Sequence, residues 1–424
     1  MIRRSEGYIT LTITSFILLA ALILVMGSYK QVFFQIKRAQ NEVKSRQEHW
    51  VAEGGLECGF ASMNIRKLSS IPNNLMVDCN DLSLSSLMKD ASNESILVAT
   101  SGKTVVKKEI AFFSSKSQGA IRSTSNLIFR GDYKFTADPG TKKSADKWNC
   151  KIIQFQGTLG LVAPYENSAL KNNGFDDSNK PYSTFPSGQT CAATHLTTNF
   201  TKAKGDGIER WELGATKQDI EYKENVGDLF EDVFGVSRKN WKQIKNDPLF
   251  HKTSSTSEKC GTTIVNGIND GKSLIWITGS CELSSTDFLS IDSAFSSATK
   301  VKSAVIVIEN GIFSTRAAYT FPGMFYHLNT HYKPTVEEWN TTESHKNSPI
   351  NSGLASGSDS ISLDKIIYYQ TGAFVPSGGY VMDAPGFTAM FNSSMDFMYN
   401  RDNLSTPLSQ IRKLRWAKGS WNDF

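Results

Sequence analysis

The chain has 424 residues, 39% of them apolar, and 46 Lys and Arg against 41 Asp and Glu, for a net charge of +5. With 21% charged residues and 11% aromatics it can bury a large core, which excludes disordered, collagenous and polytopic membrane classes. The small charge surplus gives no general attraction for nucleic acid or a membrane surface, so any such patch is local, and the length suits two or three domains.

The start, Met1 to Gly7, is a short leader carrying Arg3 and Arg4. From Tyr8 to Tyr29 no charge occurs until Lys30, and these 22 residues are enough to cross a bilayer as a helix. No small-x-small cleavage site closes the run and amphipathic sequence continues after Lys30, so a retained helix is expected rather than a removed signal peptide. Phe33, Ile36, Val43, Trp50, Leu56, Phe60 and Met63 recur at intervals of three, four, six or seven, which predicts one helical face on a helix spanning residues 8–65. An apolar first half in the membrane and an amphipathic second half packed on a globular head follow from this. Only Gly54-Gly55 weakens the helix, by about 1 kcal/mol per Gly relative to Ala unless close packing compensates.

A basic leader ending in Gly7, an apolar stretch beginning at the next residue and an amphipathic continuation resemble a type IV prepilin. Ala52-Glu-Gly-Gly-Leu-Glu57 resembles the segment after the membrane helix in PilX-type minor pilins. The resemblance covers about the first 63 residues. It implies cleavage between Gly7 and Tyr8 by a prepilin peptidase, methylation of the new Tyr8 amino group, and an assembly helix that includes Thr12 and Phe16. It also implies a single-pass inner-membrane protein with a periplasmic head, later carried to an extracellular pilus tip. Its partners would be other minor pilins and the major pilin. Major pilins carry a glutamate at the fifth residue after the cut, where this chain has Thr12. Burying an unpaired ammonium in a bilayer is costly, so a subunit without that carboxylate suits a place with no further subunit beyond it. PilX-type pilins and GspK-type pseudopilins of type II secretion share the loss.

Topology signals conflict. Lys30, Lys37, Arg38, Lys44 and Arg46 follow the span and only Arg3 and Arg4 precede it, which by charge alone puts the head in the cytoplasm. The cysteines oppose this. Cys58, Cys79, Cys150, Cys191, Cys260 and Cys281 contain no CxxC pair and no His at zinc-finger spacing, so disulfides are expected rather than metal. Sequential pairing closes the shortest loops, and such bridges, at about 2–4 kcal/mol each, need an oxidising compartment.

Residues 66–259 form a mixed α/β region and residues 260–424 a β-rich one. In the first, Gly119–Gly131 alternates around Ile121, Ser123, Ser125 and Leu127 like a solenoid rung, and Leu229–Lys245 places Leu229, Phe230, Val233, Phe234, Trp241 and Ile244 on helical faces interrupted at Gly235. In the second, Lys272–Gly279 and Lys302–Gly311 are similar strands 30 residues apart, with Tyr319–Leu328 and Lys365–Pro376 as further strands. Apolar runs separated by a helix-length interval, Ser284 to Lys300, suit parallel pairing. The expected class is α+β, with a long N-terminal helix and a β-rich head; a short irregular parallel β-helix and an ordinary mixed sheet remain alternatives.

No G-x-S-x-G elbow or phosphate loop is present, and the expectation is a non-enzymatic protein without cofactor. His327 and His331, with Glu337, Glu338, Glu343 and His345 downstream, have zinc spacing only on a helix, and Tyr326, Tyr332 and Pro334 favour strand and loop, so no metal site is assigned. Asp176, Asp177, Asp206 and Asp270 lie among Gly and Asn without the EF-hand ladder. At the C-terminal end Arg412, Lys413, Arg415 and Lys418 interleave with Trp416 and Trp421. This is a candidate DNA contact, against a structural reading in which the tryptophans anchor the segment to the head.

The resemblance implies a PilX-like minor pilin expected to help initiate assembly and to present its head at the filament tip, for adhesion to a host or surface ligand or for DNA uptake. The alternatives are a GspK-like pseudopilin, or a signal-anchored periplasmic enzyme or adhesin.

Overall fold

The computed structural model describes residues 6–66, 68, 70–112, 119–163, 166–205, 207–254, 260–352, 360–411, 414–417 and 419. The chain is α+β and divides into two compact units, Met1–Phe113 with Lys413–Phe424, and Ser114–Arg412. The 259/260 division therefore falls inside the second unit.

In the first unit, helix α1 runs from Glu6 to Ile65 as one 60-residue element. Its end packs on an antiparallel sheet of β1 (Ser86–Lys89), β2 (Ile96–Ser101), β3 (Thr104–Phe112) and the C-terminal strand Leu414–Trp416, in that order. Ala52, Leu56 and Met63 are buried on this sheet with Leu87, Leu97 and Ile110. The expected single apolar face is in fact two. Seven-residue steps drift by only about 20°, so Leu22, Tyr29, Ile36, Val43 and Trp50 form one line along the helix. The six-residue step from Trp50 to Leu56 turns by about 240°, and only the face of Leu56 meets the sheet. Leu22, Tyr29, Ile36, Val43 and Trp50 stay between 51% and 70% exposed.

The glycine pair resolves by position. A Cβ on Gly55 would lie 2.7 Å from both Leu84 methyls, whereas one on Gly54 would meet nothing within 4 Å. Gly59 is also close, its Cβ position lying 3.1 Å from Leu97 and 3.2 Å from Leu87. Gly55 thus admits the Leu84 side chain just ahead of β1, Gly59 lets the sheet approach the helix backbone, and that packing offsets their poor helix propensity.

The second unit is a three-sided parallel β-solenoid. Its largest sheet contains β4 (Ile121–Ser123), β5 (Ile153–Phe155), β6 (Ile220–Tyr222), β7 (Phe250–Ser254), β8 (Leu274–Thr278), β9 (Ala304–Glu309), β10 (Gly323–Leu328) and β11 (Gly379–Asp383). Their spatial order is β6-β5-β4-β11-β10-β9-β8-β7. Two further sides repeat this order. Asn126–Arg130 lies between Thr388–Phe391 and Leu159–Val162, and Asp132–Thr136 between Met395–Met398 and Ser168–Gly174. The chain therefore enters in the middle of the stack, winds out to β6, crosses to the far end at β7, and winds back until its last rung sits beneath its first.

Inward side chains such as Ile275, Ile277, Ile306, Ile308 and Phe325 fill the solenoid, while Trp276, Val305, Val307, Met324 and Tyr326 face outward under the crossover and the helix Asp402–Leu408. This explains why Ala304–Glu309 is buried at every position. The similar segments 30 residues apart are neighbouring rungs, with Leu274 beside Val305, and the interval between them holds the helix Ser285–Ser297, begun by a Ser284 capping box. The crossover carries α2 (Leu229–Phe234), closed by Gly235 in the left-handed conformation (φ +72°), and α3 (Trp241–Lys245).

Gly55→Val is expected to lower the unfolding free energy by about 1–3 kcal/mol, while Gly54→Ala leaves it unchanged or raises it by up to about 1 kcal/mol. Urea titrations followed by circular dichroism check both.

Candidate functional site

The most extended uncovered surface of the described residues is the first two thirds of α1. Gly7 lies in its first turn, and Tyr8 and Phe16 are each 75% exposed. Three hydroxyls within the apolar run are satisfied by the helix itself. Thr12 Oγ1 donates to the carbonyls of Tyr8 and Ile9, each at 2.9 Å, Thr14 to Thr10 at 2.9 Å and Ser15 to Leu11 at 2.8 Å. The surface offered to the surroundings is therefore apolar despite these residues. Among the described residues this is the single helix long and apolar enough to cross a membrane, with a window hydropathy of 2.6.

Below Trp50 the helix is fastened to its own sheet. Lys108 of β3 is 3% exposed and reaches Glu57 at 3.4 Å and Glu53 at 3.8 Å, and its ammonium stands 5.3 Å from the Trp416 ring centre. The Cys58–Cys79 disulfide joins α1 to the turn Met76–Cys79. Beside it, Asp78 accepts from Ser62 Oγ and from Arg66, both at 2.6 Å, and these bonds, Ser62 first, hold its carboxyl below the usual range.

Two further disulfides, Cys150–Cys191 and Cys260–Cys281, lie in the solenoid unit, so the pairing is sequential throughout. In the C-terminal basic segment, Arg412, Lys413, Lys418 and Trp421 lie outside the described residues. Arg415 is paired through its backbone with Ala111. Trp416 stacks on Phe60 with ring centres 4.6 Å apart, so its ring packs against α1 as an anchor.

On the solenoid, charged side chains that the sequence reading did not single out tie the crossover to the large sheet. Arg122 of β4 meets Asp232 of α2 at 2.6 Å, Asp383 of β11 meets Arg238 at 2.8 Å, and Glu309 of β9 meets Lys245 of α3 at 2.6 Å. Asp383 also accepts from the Tyr326 hydroxyl at 2.9 Å, and Glu309 from the Trp276 indole at 2.8 Å. Burial pushes the Asp383 carboxyl up, and Arg238 opposes that shift. These contacts step along the sheet in the same direction as the crossover.

The histidines at zinc spacing are separated by their environments. His327 is buried in β10, its Nε2 at 2.8 Å from the Gly311 carbonyl, whereas His331 is exposed on the following turn beside Thr330. Glu338 instead forms a capping box with Thr335 and accepts from Tyr332 at 2.6 Å. Glu343 pairs with Lys346 at 3.0 Å, and the His345 ring lies 3.3 Å from the Ile350 amide. Of the loop carboxylates, Asp176 accepts from the amides of Ser178 and Asn179, Asp177 from Gly188, and Asp270 lies 3.4 Å from His251; Asp206 lies outside the described residues.

Burial lowers the His327 pKa to about 4, below the ~6.5 of an unfolded chain. The unfolded state therefore takes up the proton first as pH falls. Stability is unaffected above about pH 7 and decreases between about pH 6.5 and 4. Between pH 7 and pH 5 the parent should lose about 2 kcal/mol more than His327→Leu, read as the difference between their urea midpoints at the two pH values.

Compared with known proteins, the chain matches no family model, no curated protein and no solved structure.

Proposed function

We propose that this chain is a PilX-like minor pilin: a non-enzymatic subunit anchored by Tyr8–Tyr29 that helps start a type IV filament and carries its head at the tip. The observation that carries this reading is the line Leu22, Tyr29, Ile36, Val43 and Trp50, exposed over its whole length and on a different face from the one that packs on the sheet of the first unit. A membrane tether alone needs no apolar line beyond the bilayer. A seven-residue repeat continuing through charged sequence suits a helix that leaves the membrane and packs against other helices in a left-handed supercoil.

Lys30, Lys37 and Lys44 follow the line one residue behind at the same spacing. Identical chains would align these lysines, so the neighbours in this reading are other minor pilins or the major pilin, with acidic residues flanking their contact line. The disulfides support a head outside the cytoplasm, against the charge count after the span. Gly7 and Tyr8 are the processing pair for a prepilin peptidase. Thr12, with its hydroxyl bonded inside the helix, leaves no carboxylate to neutralise a neighbouring amino terminus.

Ile36→Asp with Val43→Asp tests the reading. The double variant should insert in the membrane and keep the parental melting temperature, yet reduce surface filaments to the level of cells lacking the chain. Ile65→Asp, at a position 81% exposed on the opposite end of the helix, should leave filament number unchanged. Parental filament numbers in the double variant would reject assembly through this line.

A further inference from the structure

The β6 end of the solenoid differs from every interior rung. Phe155 and Tyr222 are partners in register on β5 and β6, two residues beyond Ile153 and Ile220, which point into the core. Elsewhere such inward positions are covered by the next rung, but β6 is the last strand of its sheet. Trp211, on the connection leading to β6, closes this end only in part. A groove of about 570 Å³ remains, lined by Phe155, Leu159, Trp211, Leu213 and Tyr222.

The rings of Trp211 and Tyr222 lie side by side, their centres 5.9 Å apart and their planes inclined by 33°. Phe155 stands edge-on to both, at 5.2 Å and 88° from Trp211 and 5.7 Å and 61° from Tyr222. The indole N–H donates to Thr216 Oγ1 at 2.8 Å, which fixes the orientation of the Trp211 ring. Tyr222 is 44% exposed and Leu213 95% exposed. The rings are therefore held in place while part of their apolar surface faces solvent. That surface is small, concave and rigid, as in ligand pockets generally.

Chemistry at the rim selects the occupant. Arg210 and Glu212 flank Trp211 in sequence and line the same groove, so both signs of charge border it and neither a polyanion nor a polycation is favoured. An alkyl chain would desolvate the Glu212 carboxylate without hydrogen-bonding it, which is costly. A pyranose ring meets each requirement. Its C–H face lies flat on an aromatic ring, and its equatorial hydroxyls reach donors and acceptors at the edge.

We propose that this end of the solenoid is a binding groove for a neutral saccharide, with Trp211 and Tyr222 as the stacking platform and Arg210 and Glu212 as hydroxyl partners. The proposal does not depend on the filament reading.

The test uses the full chain in amine-oxide detergent micelles, which present no sugar headgroup, titrated with maltohexaose, cellohexaose and chitohexaose while tryptophan fluorescence and heat of binding are recorded. At least one hexasaccharide should bind saturably, Trp211→Ala should weaken it on the order of tenfold, and Tyr222→Ala should weaken it with the parental melting temperature retained. Thr216→Val, which keeps the ring but releases its N–H, should weaken binding less than Trp211→Ala. Absence of saturable binding by all three sugars would overturn the proposal. So would binding unchanged in Tyr222→Ala, or a groove that takes dextran sulfate in preference to the neutral sugars.

Discussion

The seam between the rung of β11 and the rung of β4 is the contact on which the rest of the solenoid depends. It joins the last winding of the unit to its first. Phe129 stacks on Phe391 with centres 4.9 Å apart, and Phe135 on Phe397 at 5.6 Å. Ser125 Oγ donates to the Ala384 carbonyl at 2.8 Å, and the Tyr133 hydroxyl to that of Phe391 at 2.7 Å, contacts that span 259 and 258 residues of chain. Without it, the windings on either side would be two short stacks, each exposing an apolar end, and short stacks of repeats are not stable alone. Such distant pairing carries a large loop-closure cost before it gains contacts, so the seam is also expected to form late in folding.

The crossover follows from the same arrangement. Because the first windings grow away from the seam in one direction and the later ones approach it from the other, one segment must run the length of the large sheet. Its ion pairs with Arg122, Asp383 and Glu309 lie on β4, β11 and β9, so they bracket the seam. Pairs this buried add little net stability over an apolar contact, but losing one partner leaves a charge without compensation. Their role is to fix where the crossover lies. The apolar cluster around Phe230, Phe234 and Trp276 supplies the burial.

Some of this architecture is legible in the chain and some is not, for physical reasons. The span from Tyr8 to Tyr29 has no charge, and nothing else in the composition competes with that signal. The rungs at β8 and β9 are legible because both faces of each strand are covered, which produces unbroken apolar runs. The alternation around Ile121 and Ser123 shows β4 as a rung, but its place beside β11 depends on residues more than two hundred positions away, and β5, only three residues long, carries no period of its own. The two faces of α1 look like one because intervals of six and seven residues are alike in a list but differ by about 100° on a helix. Trp416 reads as half of a basic, aromatic surface, yet it faces Phe60, which no local pattern reveals. Phe155, Trp211 and Tyr222 come together only because a stack must end somewhere, a property of topology rather than of sequence spacing.

In the proposed reading the amino terminus gives this organisation its use, because the uncovered apolar stretch of α1 begins immediately after Gly7. The mass of the amino-terminal peptide, recovered from cells with and without a prepilin peptidase and from a Gly7→Ala variant, tests that claim most directly. The account predicts a methylated peptide beginning at Tyr8, found only when both the peptidase and Gly7 are present. A peptide that retains Met1 to Gly7 in peptidase-positive cells would contradict it and leave α1 as a plain membrane tether.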